Sequence, residues 1–172
     1  MNIPPRELII AALFDAWGLA MPALFHAFGL GAVFLPMFIP LLIMGFFVGP
    51  AAAALNAFMV PLISALLTGM PPLYPPLAVI ISLETTALSA TAALCYRTAG
   101  WNMWVSMFAA IAAERLVLAV AAVWIAPLFA FPPLMLSIGS IAASMPGILL
   151  LIIITPIVIK SIHRLQKPTP TP

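Results

Sequence analysis

The sequence predicts an all-α, polytopic membrane bundle of six transmembrane helices with both termini cytoplasmic. Three observations point there: extreme apolarity, apolar runs of membrane-spanning length, and a one-sided distribution of basic residues. Of 172 residues, 65% are hydrophobic and only 6% charged, against about a quarter charged in an ordinary soluble domain. Six Lys/Arg and four Asp/Glu side chains cannot solvate so much apolar surface. The same numbers exclude a nucleic-acid binder, a cytosolic α/β enzyme and a disulfide-stapled secreted module.

A membrane helix needs about 20 predominantly apolar residues. The predicted spans are 7–25, 33–49, 51–69, 77–97, 101–126 and 138–163, forming one domain over 1–167 with a short Pro/Thr tail at 168–172. The first run is too long for a removable signal peptide, and five more follow it. The second is short. Gly49-Pro50 separates it from the third, which closes at Gly69-Met70-Pro71-Pro72. The fourth and fifth meet at Thr98-Ala99-Gly100 and contain no proline, so they are expected to form a straight, rigid pair. The others carry Pro22, Pro36, Pro40, Pro61, Pro146 and Pro156 in or beside them. The sixth, after Phe131-Pro132-Pro133, is long or broken at Pro146-Gly147. Barrel strands would alternate apolar and polar residues, and these runs do not.

With the N-terminus inside, Arg6, Arg97, Lys160, Arg164 and Lys167 all fall on the cytoplasmic side. The opposite loops, near 26–32, 70–76 and 127–137, then hold no Lys or Arg, which is the positive-inside pattern. Cys95, the single cysteine, forms no disulfide within the chain and is read as a packing residue. No GxxxxGK[ST], HExxH, CxxC or GxSxG motif occurs, so neither a phosphate loop nor a metal site is expected. Energy for transport would come from a partner or an ion gradient.

The few charges inside the bilayer are then the informative ones. Asp15, Glu84, Glu114 and Arg115 fall within spans one, four and five. At ~1.5 Å per residue from the outer ends, Asp15 lies about 15 Å deep, Glu84 about 10 Å and Arg115 about 16 Å. A charge at mid-bilayer costs at least ~2.5–3.5 kcal/mol, which makes such a residue a candidate for function. The structural alternative is an ion pair of Arg115 with Glu84 or Glu114 that locks helices four and five together. Ala12, Ala16 and Ala20 recur at four-residue spacing, and Gly45 stands four before Gly49; both patterns permit close helix approach. The outer loops supply His26, Phe28, Met70, Tyr74, Phe129 and Phe131, with Trp124 just below. Singly these read as interfacial anchors; together they would lid an outward-opening pocket.

The stretch Phe25-His26-Ala27-Phe28-Gly29-Leu30-Gly31, continuing through Leu35-Pro36-Met37, resembles the substrate-binding S components of energy-coupling factor (ECF) vitamin transporters. So do Ile39-Pro40 through Gly45-Phe46-Phe47-Val48-Gly49-Pro50, and Pro61 through Ser64 to Thr68-Gly69-Met70-Pro71-Pro72, followed by Glu84. The likeness covers about residues 10–97. It implies a six-helix protein of the prokaryotic cell (inner) membrane that captures a small vitamin-like compound from outside. It further implies docking onto a membrane-embedded coupling subunit driven by two cytoplasmic ATPase subunits; from the missing motifs, no cofactor or metal is expected. By that resemblance Ala12, Ala16 and Ala20 match the docking surface, and Glu84, Arg115, His26, Thr68, Tyr74 and Trp124 are candidate substrate contacts. Two features depart from the pattern. Phe38 stands where related sequences carry His, and Asp15 lies within the alanine stripe.

Two other readings compete. A self-sufficient ion-coupled carrier would use Asp15, Glu84 and Glu114 as proton or cation sites. A membrane enzyme would use the carboxylates as acid and base, without a nucleophile or metal motif to help them.

Overall fold

The computed structural model describes residues 3–27, 36–74, 76–129 and 144–165, omitting the side chains of residues 23, 24, 26, 27 and 126. Among the described residues the chain forms six α-helices: α1 (Pro5–Ala27), α2 (Phe38–Gly45), α3 (Pro50–Thr68), α4 (Leu77–Ala93), α5 (Met103–Val120) and α6 (Met145–Leu165). Helix α4 runs on through a π-helical turn, Leu94–Thr98, and α5 through another, Ala121–Ile125. Four helices are long and apolar enough to cross a membrane: Pro50–Thr68, Leu77–Thr98, Met103–Ile125 and Met145–Leu165. At 1.5 Å per residue their 19–23 residues extend about 28–34 Å, the thickness of a hydrocarbon core. Helix α1 has 23 residues. Large apolar side chains such as Leu13, Leu66, Leu116 and Ile153 point outward, the arrangement that lipid rather than water favours.

The second segment departs from its predicted span. Helix α2 has only 8 residues, every one buried. A turn over Phe46–Val48 ends it, because Gly49 is extended (φ −67°, ψ 159°) and Pro50 starts α3. The result is a short core helix wrapped by α1, α3, α4 and α6. Phe38, at the position where the resemblance would place His, is part of that core. The last helix begins at Met145, with Pro146 as its second residue, so the described part of the predicted sixth span starts at the expected Pro146-Gly147 position. Residues 33–35 and 138–143 of the two predicted spans lie outside the described residues, as do Phe28, Phe131, Lys167 and the 168–172 tail.

Apolar burial gives little drive between helices in lipid, so close contact and shared hydrogen bonds must hold the bundle. The α2–α4 crossing rests on Gly45. A Cβ there would stand 2.5 Å from the Ser89 carbonyl oxygen. Ser89 Oγ donates to Leu41 O at 2.8 Å across the same contact. The α3–α4 crossing follows from Pro61, which has no N–H to offer the carbonyl of Ala57 one turn earlier. Thr85 on α4 meets that need: its hydroxyl lies 2.7 Å from Ala57 O, sharing its proton with Ile81 O at 2.8 Å.

One end of the bundle is tied by charge. Glu7, in the first turn of α1, accepts from Gly49 N–H at 2.8 Å and from Arg97 Nη2 at 3.2 Å. Arg97 also donates to the Phe47 carbonyl, and the Phe47 ring meets His163 of α6 edge-on at 5.6 Å. The start of α1, the α2–α3 turn, the end of α4 and the end of α6 therefore share one end. Arg6, Arg97 and His163 line one cavity there, with Lys160 and Arg164 in the last turns of α6.

Candidate functional site

Helix α4 presents different chemistry on different faces. Thr85, Ser89 and Ala92 meet α2 and α3, whereas Glu84, one residue on and about 100° round, is turned towards α5 with Ile80 and Leu88. Ile80 packs on Ala121 just outward of the carboxylate. Glu84 is 5% exposed and lies in the electrostatic field of Glu114 and Arg115. Among the described residues, no group hydrogen-bonds its carboxylate. Counted along the helices, Glu84 and Glu114 sit about 20 Å and about 18 Å from the basic end.

Glu114 is 1% exposed. Its Oε2 accepts from Arg115 Nε at 2.7 Å, while its Oε1 is buried without a partner among the described residues. Arg115 keeps 20% of its side chain exposed and donates through Nη1 to Ser144 Oγ at 3.0 Å. The expected lock between helices four and five is therefore not what Arg115 builds. Its long stem curls back to its own neighbour, overcoming the 100° divergence of adjacent residues, and its far end ties α5 to the start of α6. Ser144 has no sequence signature and was not foreseen. Nor was the role of Glu7, although it is one of only four carboxylates in the chain.

The remaining candidates are dispersed. Thr68 is exposed and serves its own loop: its hydroxyl reaches Ser64 O at 2.8 Å and accepts from Met70 N–H at 3.2 Å. Gly69 closes α3 in the left-handed region, φ +74°. Tyr74 and Trp124 are 80% and 72% exposed, positions that suit rings at a membrane–water boundary. His26 falls in the last turn of α1, and its side chain lies outside the described ones. Asp15 is half-buried, with Oδ1 enclosed and unpartnered among the described residues. It lies towards the buried side of α1, marked by Ala11, Gly18 and Pro22, whereas Ala12, Ala16 and Ala20 are all exposed on the outer face.

The structure thus groups Glu84, Glu114, Arg115 and Ser144 between α4, α5 and the start of α6. It leaves Thr68, Tyr74 and Trp124 outside that group. Two enclosed carboxylates, only one of them ion-paired, can accept N–H or O–H donors or a cation. The outer edge of the guanidinium can meet an acceptor. Among the described residues no cluster of three metal-ligating side chains occurs. No protein-family model, curated protein or solved structure matches the chain.

Proposed function

We propose that this protein is the substrate-capture (S) component of an ECF-type importer, taking up a small vitamin-like compound across a prokaryotic cell membrane. Both termini then face the cytoplasm, where the basic end meets the positive-inside rule. The observation that carries the reading is Glu84, an enclosed carboxylate without a hydrogen-bond partner among the described residues, beside an Arg115–Glu114 pair. A charge inside an apolar helix costs at least ~2.5–3.5 kcal/mol, which favours a role in binding over one in the fold. The candidate ligand carries hydrogen-bond donors for Glu84 and an acceptor for Arg115. The exposed Ala12, Ala16 and Ala20 face supports docking to a coupling subunit, since small residues let a partner helix approach closely. Two cytoplasmic ATPases would then supply the energy.

The test is uptake of vitamins by cells expressing the chain with and without a coupling subunit and its ATPases. The reading expects high-affinity uptake only with the full set. The enclosed oxygens of Glu114 and Asp15, unpartnered among the described residues, favour a second reading, an ion-coupled carrier. Uptake that persists without partners and follows a proton or sodium gradient would establish that reading instead.

A further inference from the structure

The basic end of the bundle holds a second concave site, independent of the Glu84 region. A cavity of about 220 Å³ lies among Arg6, Glu7, Phe46, Phe47, Arg97 and His163. That is below the roughly 300–1,000 Å³ of pockets for drug-sized ligands, and it suits a compact group. Its charge is unbalanced. Glu7 is the one carboxylate on the wall, and both its oxygens are engaged, by Gly49 N–H and by Arg97. Arg97 uses one hydrogen of Nη1 on the Phe47 carbonyl and one of Nη2 on Glu7. Its Nε–H and the second hydrogen on each Nη are left over. Among the described residues Arg6 makes no hydrogen bond or ion pair. His163 contributes a ring N–H, and Lys160 and Arg164 stand on the same helix. Phe46, Phe47 and Ile10 give the cavity an apolar floor.

We infer that this cavity binds a phosphate group, held between Arg6 and the unused guanidinium edge of Arg97, with His163 as a third donor. Guanidinium forks match phosphate oxygens in pairs. The group could be the headgroup of an anionic phospholipid, with its glycerol stem on the phenylalanines, or phosphate free in solution. Basic pockets between helices at the cytoplasmic surface take lipid headgroups on the same electrostatic grounds.

The test uses the full chain in a non-ionic detergent. Native mass spectra are recorded with dioleoyl phosphatidic acid and with dioleoylglycerol, which has the same acyl chains without the phosphate. Thermal unfolding is followed in inorganic phosphate and in chloride at equal ionic strength. We expect adducts with phosphatidic acid, few with dioleoylglycerol, and an affinity about tenfold weaker in Arg6→Gln, the loss of one charge-assisted hydrogen bond. Arg6 has no hydrogen bond or ion pair among the described residues, so this variant tests the site even if Arg97→Gln loosens the bundle. Stabilisation by inorganic phosphate as well assigns the site to free phosphate; retention of phosphatidic acid alone assigns it to lipid. Equal retention of the two lipids without a phosphate-specific shift overturns the inference, as does wild-type binding by Arg6→Gln.

Discussion

Two faces of α4 differ in how their polar groups are met. On the side of α2 and α3 most of the polar contacts are matched, although Ser82 Oγ is buried there without a partner among the described residues. Gly45 admits the Ser89 backbone, Ser89 donates to Leu41 O, and Thr85 serves the carbonyl that Pro61 leaves open. On the side of α5, among the described residues, lie Glu84 without a hydrogen bond and Glu114 with one oxygen unserved. The neighbouring spans follow the same division. Half of the apolar window of Leu77–Thr98 is buried inside the bundle, against 22% for Met103–Ile125. One face of α4 holds the fold, and the other bears groups that the fold does not use. A buried carboxylate without a hydrogen bond costs more than a lone hydroxyl such as that of Ser82, and is the stronger mark of chemistry reserved for something else.

The largest effect is expected on the α5 face. Arg115→Met strands Glu114, and removal of one partner of a buried pair costs about 3–5 kcal/mol. The lower end applies because Arg115 retains 20% exposure. Unfolding in detergent should show the loss, and Glu114→Gln in the same chain should recover most of it. If the single variant unfolds like wild type, Glu114 does not depend on Arg115.

Next comes the face towards α2 and α3. Gly45→Ala drives a methyl to 2.5 Å from a backbone oxygen, a clash that no rotamer relieves, and overpacking of this kind costs about 1–3 kcal/mol. A thermal midpoint equal to wild type would mean that α2 and α4 are not held this closely. Thr85→Val removes the donor to Ala57 O; interhelical hydrogen bonds in membranes average about 0.6 kcal/mol with a maximum near 1.7. We expect a loss within that range, and Pro61→Ala in the same chain should shrink it, because the backbone then serves its own carbonyl. An undiminished loss would assign Thr85 to packing alone.

Much of the fold is legible in the sequence because apolar runs and their Gly/Pro punctuation are local signals. Gly49-Pro50 and Thr68-Gly69 bound α3 within a residue of the predicted span, and Leu77 opens α4 as expected. Helix α2 was harder to read, since an apolar run looks the same whether it crosses lipid or is buried in protein. For the site, the intramembrane carboxylates announce themselves by their rarity. Their partners do not: the turn-back of Arg115 to Glu114 and its reach to Ser144 depend on rotamers and on contacts 29 residues apart. The Glu7–Gly49–Arg97 tie joins residues 42 and 90 positions apart in the chain, and no local pattern encodes it.

The central claim is that Glu84 is retained for a ligand rather than for the fold. The direct measurement is thermal unfolding of wild type and Glu84→Gln in detergent against a panel of vitamins, with native mass spectra to identify what stays bound. The account predicts that one compound stabilises the wild type by several kcal/mol when saturating. It also predicts that Glu84→Gln alone unfolds at or above the wild-type midpoint, because a buried charge without a hydrogen bond among the described residues adds nothing to stability, and loses the ligand-dependent shift. A panel without any stabilising compound, or an undiminished shift in Glu84→Gln, would contradict it.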